Sequence, residues 1–294
     1  MKKHADKIQR VGLIGNSEKV SCAEVVRHAA RLIRAAGRQV FTDAETNELF
    51  RLRGEICPDA VALARQVDLL LIFGGDGTML RAAREIAGLP TPLLGINIGG
   101  LGFLTAVSSS DLSRALRHVW NGEFKFESRA LIEAGATCQT KSIRQTALND
   151  VVIGRGGDSR LVELQVSVDG DPLTNYRCDG LIVSSPTGST AYSLAAGGAV
   201  VYPTAEVLQL TPICPHTLSN RSLILPLTST ICVKVVNSRP ATQLSADGEV
   251  VTELAAGDHI SIRRSRRTVR LLHLPDTSFF ESLRAKLHWR GANL

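Results

Sequence analysis

The first 120 residues alternate short aliphatic runs with segments whose apolar residues recur at helical spacing. Four runs predict buried strands: VGLIG (11–15), QVFTD (39–43), VDLLLIF (67–73) and TPLLGIN (91–97). Two segments predict helices that end at a glycine: CAEVVRHAARLIRAAG (22–37) and TMLRAAREIAG (78–88). Because strands that are apolar throughout are buried on both faces, this alternation predicts an α/β domain with a Rossmann-like parallel sheet and crossover helices.

The hydrophobic pattern changes after about residue 126. LVELQVSV (161–168) alternates apolar and polar residues with period two, and STICVKVV and HISIRRSRRTVRLL continue the alternation. Turn signals are expected at Asp169-Gly170, Asp171-Pro172 and Asp247-Gly248. This part of the chain is therefore predicted to be mainly an antiparallel β-sandwich.

The last segment, SFFESLRAKLHW (278–289), returns to helical spacing. A chain of 294 residues is long enough for two domains. We expect a nucleotide-binding domain over 1–126 and a β-rich domain over 127–275. Residues 276–294 are expected to return to the first domain, with the C-terminal helix packing back on it.

Charge favours an anionic partner. Lys and Arg exceed Asp and Glu by 34 to 28, and the sequence pI is about 9.2. The densest basic run, Arg263 to Arg270, has no interleaved aromatic residue on which a base could stack, so it favours a solvated hairpin over a nucleic-acid surface. No apolar stretch reaches the length of a signal peptide or a membrane span, which predicts a cytosolic protein without membrane contact.

Metal-binding motifs are missing from the sequence. Its six cysteines are scattered without a CxxC pair, and its seven histidines form no HExxH. These patterns predict reduced thiols and no metal-ligating set of side chains.

The stretch FGGDGTML (73–80) carries the strongest chemical signal. Gly74, Gly75 and Gly77 follow a predicted parallel strand and precede a predicted helix, which is where open α/β sheets bind ligands. Glycines let backbone N–H groups approach an anion, and the helix N-terminus adds partial positive charge. The stretch predicts a phosphate-binding turn, although neither GxxxxGK[ST] nor GxGxxG occurs in the chain.

Asp76 lies among these glycines, where a carboxylate facing a phosphate is unfavourable unless it accepts a proton or meets a metal ion. Both occur in phosphoryl transfer. The alternative is structural: Asp76 caps the helix in a tight turn. Local sequence leaves both interpretations open.

Longer motifs resemble one family. GGDGT after an aliphatic strand is similar to the signature of NAD kinases, diacylglycerol and sphingosine kinases and, more loosely, phosphofructokinases. Four further segments resemble the bacterial NAD kinases along nearly the whole chain: GINIGGLGFL (95–104), ALNDVVIGR (147–155), YRCDGLIVSSPTGSTAYSLAAGG (176–198) and the terminal FFESLRAKLHW. The resemblance implies transfer of the γ-phosphoryl group of ATP to the 2′-hydroxyl of the adenosine ribose of NAD. It also implies magnesium as the divalent cation and a homo-oligomer, either a dimer or a tetramer.

The resemblance assigns Asp76 as the catalytic base and a set of ligand-binding residues. These are Gly74, Gly75, Gly77, Arg81, Asn149, Asp150, Arg160, Arg177, Asp179, Thr187, Thr190, Ala191, Tyr192, Ser193, Leu194, Ala195 and Glu249.

Each assignment has a structural alternative. For Arg81 the alternative, nearly as strong, is a solvated helix residue. For Asn149-Asp150 it is a turn, and for Arg177 it is an exposed strand-end arginine. Without the family resemblance, the segment from Thr187 to Ala195 is interpreted as a tight turn before a close-packed helix. Glu249 departs from relatives that place a glutamine there, and Cys178 stands where another small residue is usual.

Other functions remain open at this level. A lipid or sugar kinase of the same superfamily lacks the long 176–198 block. A dinucleotide sensor without turnover has no use for Asp76 as a base. A basic nucleic-acid-binding module requires binding that weakens steeply with salt.

Overall fold

The structure is a computed structural model of the chain. It describes residues 8–16, 22–100, 102–105, 107–138, 141–157, 160–216, 221–237 and 241–289. The described residues form two compact units. The first unit lies within Met1–Ser128 and Val269–Leu294, and the second lies within Arg129–Thr268.

The first unit contains a parallel sheet. Its strands are β1 (Arg10–Gly15), β2 (Gln39–Asp43), β3 (Glu55–Cys57), β4 (Leu69–Gly74), β5 (Leu93–Asn97) and β6 (Val107–Ser108). The order is β5-β4-β1-β2-β3, with β6 beside β5 and every one of these pairs parallel. Strand β4 is buried at all six positions, as its unbroken apolar run predicts.

Helices connect these strands. They are α1 (Cys22–Ala35), α2 (Ala44–Phe50), α3 (Ala60–Gln66), α4 (Asp76–Glu85) and α5 (Leu112–Asn121). One apolar core contains residues of α1, α5 and the sheet, among them Val26, Leu71 and Val119. The α/β prediction for this part is confirmed.

Local sequence explains where several helices begin and end. Asp43 and Asp59 accept hydrogen bonds from the backbone N–H of Thr46 and Ala62, so each caps the helix that follows it. Helix α1 ends two residues before Gly37, which has a φ of +74°. Helix α4 begins at Asp76, two residues earlier than the sequence predicts, so Asp76 and Gly77 belong to its first turn.

The second unit is antiparallel. Two of its strands, β7 (Lys125–Cys138) and β18 (His259–His273), have one end in the first unit. The others are β8 (Lys141–Ala147), β9 (Asp150–Arg155), β10 (Val162–Val168), β11 (Asp171–Cys178), β12 (Gly180–Ser184), β13 (Val207–Ile213), β14 (Leu223–Pro226), β15 (Ile231–Val235), β16 (Thr242–Ala246) and β17 (Glu249–Leu254). One sheet has the order β14-β13-β12-β9-β16-β17, and the other includes β11-β10-β15-β18. A common core joins residues of both, such as Leu164 and Val183, so the sandwich prediction is confirmed.

Two of the three expected turns are present. Asp169 and Asp247 have φ values of +53° and +49°, and each precedes a glycine in a hairpin turn. The turn predicted at Asp171-Pro172 is wrong. These residues open β11, where Pro172 pairs with Ser167 next to a β-bulge, a position at which the missing proline N–H is tolerated.

The C-terminal helix, α7 (Phe279–Leu287), belongs to the first unit, as predicted. The ring of Phe279 lies 6.4 Å from that of Phe103, and Leu283 is buried.

Candidate functional site

The glycine-rich turn lies at the carboxyl end of β4. Gly75 is the N-cap of α4, and the first helical hydrogen bond runs from the N–H of Met79 to the Gly75 carbonyl, at 3.2 Å. The N–H groups of Asp76, Gly77 and Thr78 therefore precede the helical hydrogen-bond series. A Cβ on Gly75 or Gly77 would meet no atom within 4 Å, so the space above the turn is open. The turn has the backbone donors and the access that a phosphate requires.

Asp76 does not cap its helix, so the structural alternative for this residue is wrong: the N-cap is Gly75, without a side-chain cap bond. Instead the Asp76 carboxylate accepts four hydrogen bonds from the segment 103–105. Oδ2 accepts one from the N–H of Phe103 at 2.8 Å. Oδ1 accepts three, from the N–H groups of Leu104 and Thr105 at 3.1 and 3.2 Å and from the Thr105 hydroxyl at 3.1 Å. The carboxylate is partly exposed and fixed in orientation.

Three residues that the sequence did not single out support this arrangement. The Asn97 amide donates to the Thr105 hydroxyl at 2.9 Å, and that hydroxyl in turn donates to Asp76. A Cβ on Gly102 would collide with the Asp76 carboxylate. All three residues lie in or next to the segment GINIGGLGFL, in which the family resemblance assigns no role to individual residues. The glycine at position 102 is explained by its close approach to Asp76.

Arg81 lies one turn further along α4. Its guanidinium pairs with Glu45 of α2 at 3.1 Å, with about a third of the side chain exposed. The structure thus gives this predicted phosphate contact a partner within the protein.

The Asn149-Asp150 pair lies at the start of β9 in the second unit. Asp247, in the β16–β17 turn, accepts hydrogen bonds from the N–H groups of Leu148, Asn149 and Asp150 at 2.9, 2.7 and 3.3 Å. The sequence predicts Asp247 only as a turn residue. Among the described residues, no group hydrogen-bonds the Asn149 side-chain amide, which is therefore available to a ligand.

Asp150 has an unusual electrostatic environment. Its side chain is buried, with 4% of its surface exposed. Burial and the neighbouring Asp247 raise the pKa of Asp150 to about 7, although a hydrogen bond from the backbone N–H of Tyr192 opposes the rise. Asp150 therefore changes protonation near neutral pH.

The segment after β12 approaches this pair closely. Ser184 pairs with Asp150 across the β9–β12 ladder, and the Ser185 N–H donates to the Asn149 carbonyl at 2.8 Å. A Cβ on Gly188 would collide with the Asn149 backbone, which explains the glycine in PTGST. The structure therefore brings Asn149 and Asp150 together with the turn that begins α6 (Tyr192–Ala195).

Side chains of the predicted segment 187–195 differ in availability. The Tyr192 side chain is 47% exposed. The Ser193 hydroxyl is buried and bonds to the hydroxyl of Thr211 at 2.9 Å, and Thr187 accepts from the buried guanidinium of Arg129 at 3.3 Å. The Thr190 hydroxyl donates to the carbonyl of Thr187 at 3.3 Å. Tyr192 and Ala195 are thus the exposed members of the segment, and Tyr192 presents an aromatic ring outward.

Arg177 and Asp179 lie at the opposite end of β12. Gly180 pairs with Gly154 and Ser184 with Asp150, so the two ends of β12 are separated by roughly 13 Å. Asp179 forms an ion pair with Arg155 at 3.0 Å, and Arg177 forms one with Glu163 at 3.2 Å. The structure therefore separates these two predicted ligand contacts from Asn149 and Asp150.

Arg160 and Glu249 are exposed. Arg160 follows β9, on the side of Arg155. Glu249 opens β17 directly after the Asp247-Gly248 turn, so it lies at the Asp150 end of the sheet.

The described residues contain neither a metal-binding cluster nor a helix that could span a membrane. Nowhere among them do three or more His, Cys, Asp or Glu residues come together as a metal-binding group. None of the described helices is long and apolar enough to cross a membrane.

A parallel sheet in which one strand ends in an open glycine-rich turn at a helix N-terminus is typical of nucleotide-binding proteins. Family models give the class a precise identity. The ATP-NAD kinase N-terminal domain matches residues 11–124, and the ATP-NAD kinase C-terminal domain matches residues 148–274. The chain belongs to the ATP-NAD kinase family.

Curated relatives agree over nearly the full length. The chain is 40% identical to an NAD kinase of Cupriavidus pinatubonensis over 280 residues, which are 95% of this chain and 92% of the relative. It is 38% identical to an NAD kinase of Syntrophotalea carbinolica, with 96% of this chain and 99% of that protein covered.

Solved structures agree with the fold. A yeast NADH kinase complexed with NADH has a TM-score of 0.89 at 26% identity, covering 98% of this chain and 90% of that one. An NAD kinase from Archaeoglobus fulgidus in complex with ATP has a TM-score of 0.73 at 24% identity, covering 96% of this chain and 100% of that one. The second similarity concerns the fold alone.

Proposed function

We propose that the protein is an ATP-dependent NAD kinase. The γ-phosphoryl group leaves ADP and bonds to the 2′-oxygen of the adenosine ribose of NAD, while the proton of that hydroxyl passes to a base. The products are NADP and ADP. The observation that carries the proposal is the match of both parts of the chain to the two ATP-NAD kinase domain models, together with Asp76 at the glycine-rich turn.

Asp76 is the proposed base. A carboxylate has about four acceptor sites, two on each oxygen. Among the described residues, Oδ1 accepts three hydrogen bonds, whereas Oδ2 accepts one, from Phe103. Oδ2 therefore retains a site for the ribose hydroxyl proton, and the four bonds hold it in a single orientation.

The glycine-rich turn is the proposed phosphate site. The N–H groups that precede the helical series and the positive end of the α4 dipole both favour an anion. Gly74, Gly75 and Gly77 contribute through the backbone. Arg81 joins this site only if a ligand phosphate competes with Glu45 for its guanidinium.

Asn149, Asp150 and Tyr192 are the proposed NAD contacts. The Asn149 amide offers a donor and an acceptor to the edge of a base, and the exposed Tyr192 ring offers a face for stacking. The Asp150 carboxylate accepts hydrogen bonds from ribose hydroxyls when it is ionised. Thr187, Thr190, Ala191, Ser193, Leu194 and Ala195 shape the turn. Glu249 is exposed at the start of β17 and is proposed as a further contact.

Arg160, Arg177 and Asp179 are proposed as further ligand contacts at the other end of β12. In the structure Arg177 forms an ion pair with Glu163, and Asp179 forms one with Arg155. To contact a ligand, each must give up this ion pair.

Magnesium enters the proposal as part of the MgATP substrate. In this role the cation arrives bound to the phosphate oxygens of ATP. A homo-oligomer and a cytosolic location stay predictions, of which sedimentation velocity tests the first.

A coupled assay for NADP formation, with NAD, ATP and magnesium, tests the function. The parent should make NADP, and Asp76→Asn should lower kcat by about 10²-fold or more because the amide cannot take the proton. Asp171→Asn, an exposed aspartate on β11, is the matched control and should retain full turnover.

A second readout separates the base from a positioning role. NAD affinity, measured by fluorescence or calorimetry, should be nearly equal in Asp76→Asn and the parent. If Asp76→Asn loses NAD affinity and turnover together, the role of Asp76 is to hold the segment 103–105 in place rather than to accept the proton. A parent that binds NAD without making NADP would establish the sensor function instead.

A further inference from the structure

A concave site in the first unit is lined by α1 and by the residues that follow α2. Its volume is about 450 Å³, within the range of small-ligand pockets. Five arginines line it: Arg27, Arg31 and Arg34 of α1, and Arg51 and Arg53 after α2. Glu24 is the single acidic residue in the lining, so four positive charges are in excess.

The α1 arginines share one helix face. Their spacing of four and then three residues places the guanidiniums side by side, and like charges at this spacing destabilise a helix. Within the described part of the chain, none of the five forms an ion pair with a carboxylate. An anion in the pocket would remove this repulsion.

The opposite wall is fixed by the backbone. Arg51 ends α2 in the left-handed conformation, with a φ of +48°, and its N–H donates to the Asn47 carbonyl at 2.8 Å. Arg27 spans the two walls, because its Nε donates to the Phe50 carbonyl at 3.2 Å. The two groups of arginines are thereby held facing one concavity.

We propose that this arginine pocket binds a small anion that carries two or more phosphate groups. Arginine pairs with phosphate oxygens through two parallel hydrogen bonds, and one orthophosphate carries too little charge to balance an excess of four positive charges. The lining contains no aromatic ring on which a base could stack, so neither a nucleic acid nor the base of a nucleotide is recognised there. The site is separate from the glycine-rich turn and does not depend on the proposed kinase activity.

Calorimetric titration of the full chain with inorganic tripolyphosphate, without magnesium, tests the pocket. The double variant Arg31→Gln/Arg34→Gln should lose one class of binding site or weaken it by about tenfold or more, since each removes charge-assisted bonds. Arg65→Gln/Arg117→Gln is the matched control: both arginines are exposed on other helices of this unit, and the loss of charge is the same. Its affinity should stay within about twofold of the parent.

Two further measurements complete the test. Tripolyphosphate should raise the Tm of the parent and the control but not that of Arg31→Gln/Arg34→Gln, because only a bound ligand stabilises the folded state. NADP formation by Arg31→Gln/Arg34→Gln should match the parent, which shows that the lost site is not a substrate site.

Three results would overturn the proposal: equal tripolyphosphate binding by the parent and the pocket variant, an equal loss in both double variants, or orthophosphate binding as tight as that of tripolyphosphate. The second would identify general charge attraction. The third would remove the requirement for several phosphate groups.

Discussion

The two carboxylates proposed to act on substrate, Asp76 and Asp150, are held in opposite ways. Asp76 is partly exposed and accepts four hydrogen bonds from one short segment. Asp150 is buried, receives a backbone hydrogen bond from Tyr192 and lies near a second carboxylate, Asp247. The first environment fixes the position of a carboxylate, whereas the second adjusts its protonation.

This difference fits two kinds of work. A base must meet one proton in one geometry, so fixed donors around Asp76 serve alignment. A binding carboxylate near its pKa couples ligand affinity to pH, because only the ionised form accepts hydrogen bonds from hydroxyls at both oxygens. The comparison predicts that structural changes around Asp76 reduce turnover, and that changes around Asp150 alter how affinity varies with pH.

The largest effect is expected at Gly102. Gly102→Ala places a methyl group against the Asp76 carboxylate and the Thr105 hydroxyl, so the carboxylate must move. We expect kcat to fall by about 10²-fold, the loss typical of a misplaced catalytic group. Gly100→Ala is the matched control in the same loop, since its Cβ meets no atom within 4 Å. Equal activity of the two variants would show that alignment of Asp76 does not limit turnover.

A smaller effect is expected at Thr105. Thr105→Val keeps the shape and removes the hydroxyl that donates to Asp76 and accepts from Asn97. One lost hydrogen bond of this kind corresponds to about a tenfold fall in kcat. Steady-state kinetics should show the loss in kcat rather than in the KM for NAD.

Thr105→Ser should restore most of the activity, because it keeps the hydroxyl. Thr91→Val controls for the loss of any buried hydroxyl in this unit, since Thr91 bonds to the Ala64 carbonyl away from the turn. If Thr91→Val also loses its activity, the loss in Thr105→Val reflects general destabilisation rather than the bond to Asp76.

The Asp150 side of the comparison concerns pH. The pKa of Asp150 is about 7, so its ionised fraction rises between pH 6 and 8. The KM for NAD should therefore fall several-fold across this interval, and Asp150→Asn should abolish the dependence. A parent whose KM is flat over the interval would contradict the proposed role.

Stability should change in the opposite direction. The folded-state pKa of Asp150 lies above its usual value of 3.8, so the folded protein holds the proton more tightly than the unfolded chain. The free energy of unfolding of the parent should fall, relative to Asp150→Asn, as pH rises from about 4 to about 7. Urea unfolding at several pH values measures the difference.

The sequence predicted more of the fold than of the site. Apolar runs and helical spacing predicted the parallel sheet, because burial on both faces leaves a continuous signal. The short helices α2 and α3 and the helix α5 were not predicted individually. Motifs predicted Asp76, Asn149 and Asp150 as functional residues through a family resemblance.

Partners distant in sequence could not be predicted. Asp247 is 97 residues from Asp150, and its sequence neighbourhood indicates only a hairpin turn. The contacts of Asp76 with residues 103–105 depend on the adjacency of β4 and β5 in the sheet. The ion pairs of Arg177 and Asp179 likewise require the registers of β10 with β11 and of β9 with β12. Local patterns specify elements, whereas these contacts are specified by how the elements pair.

The smallest expected effect concerns the charge of Asp247. Asp247→Asn keeps a residue that tolerates the φ of +49° and keeps one oxygen for the N–H groups of Asn149 and Asp150. It removes the negative charge that is the second cause of the raised pKa of Asp150, after burial. The pH at which the KM for NAD changes should therefore move below 7 while staying above the usual carboxyl value, because burial remains.

Asp169→Asn is the matched control for this last variant. Asp169 has a φ of +53° in another hairpin, and its carboxylate accepts from the N–H of Thr230 at 2.7 Å. Both variants should lose a similar few degrees in Tm, but only Asp247→Asn should move the pH midpoint. If both variants move it equally, turn geometry rather than the charge of Asp247 sets the protonation of Asp150. If neither variant moves the pH midpoint, burial alone accounts for the raised pKa of Asp150.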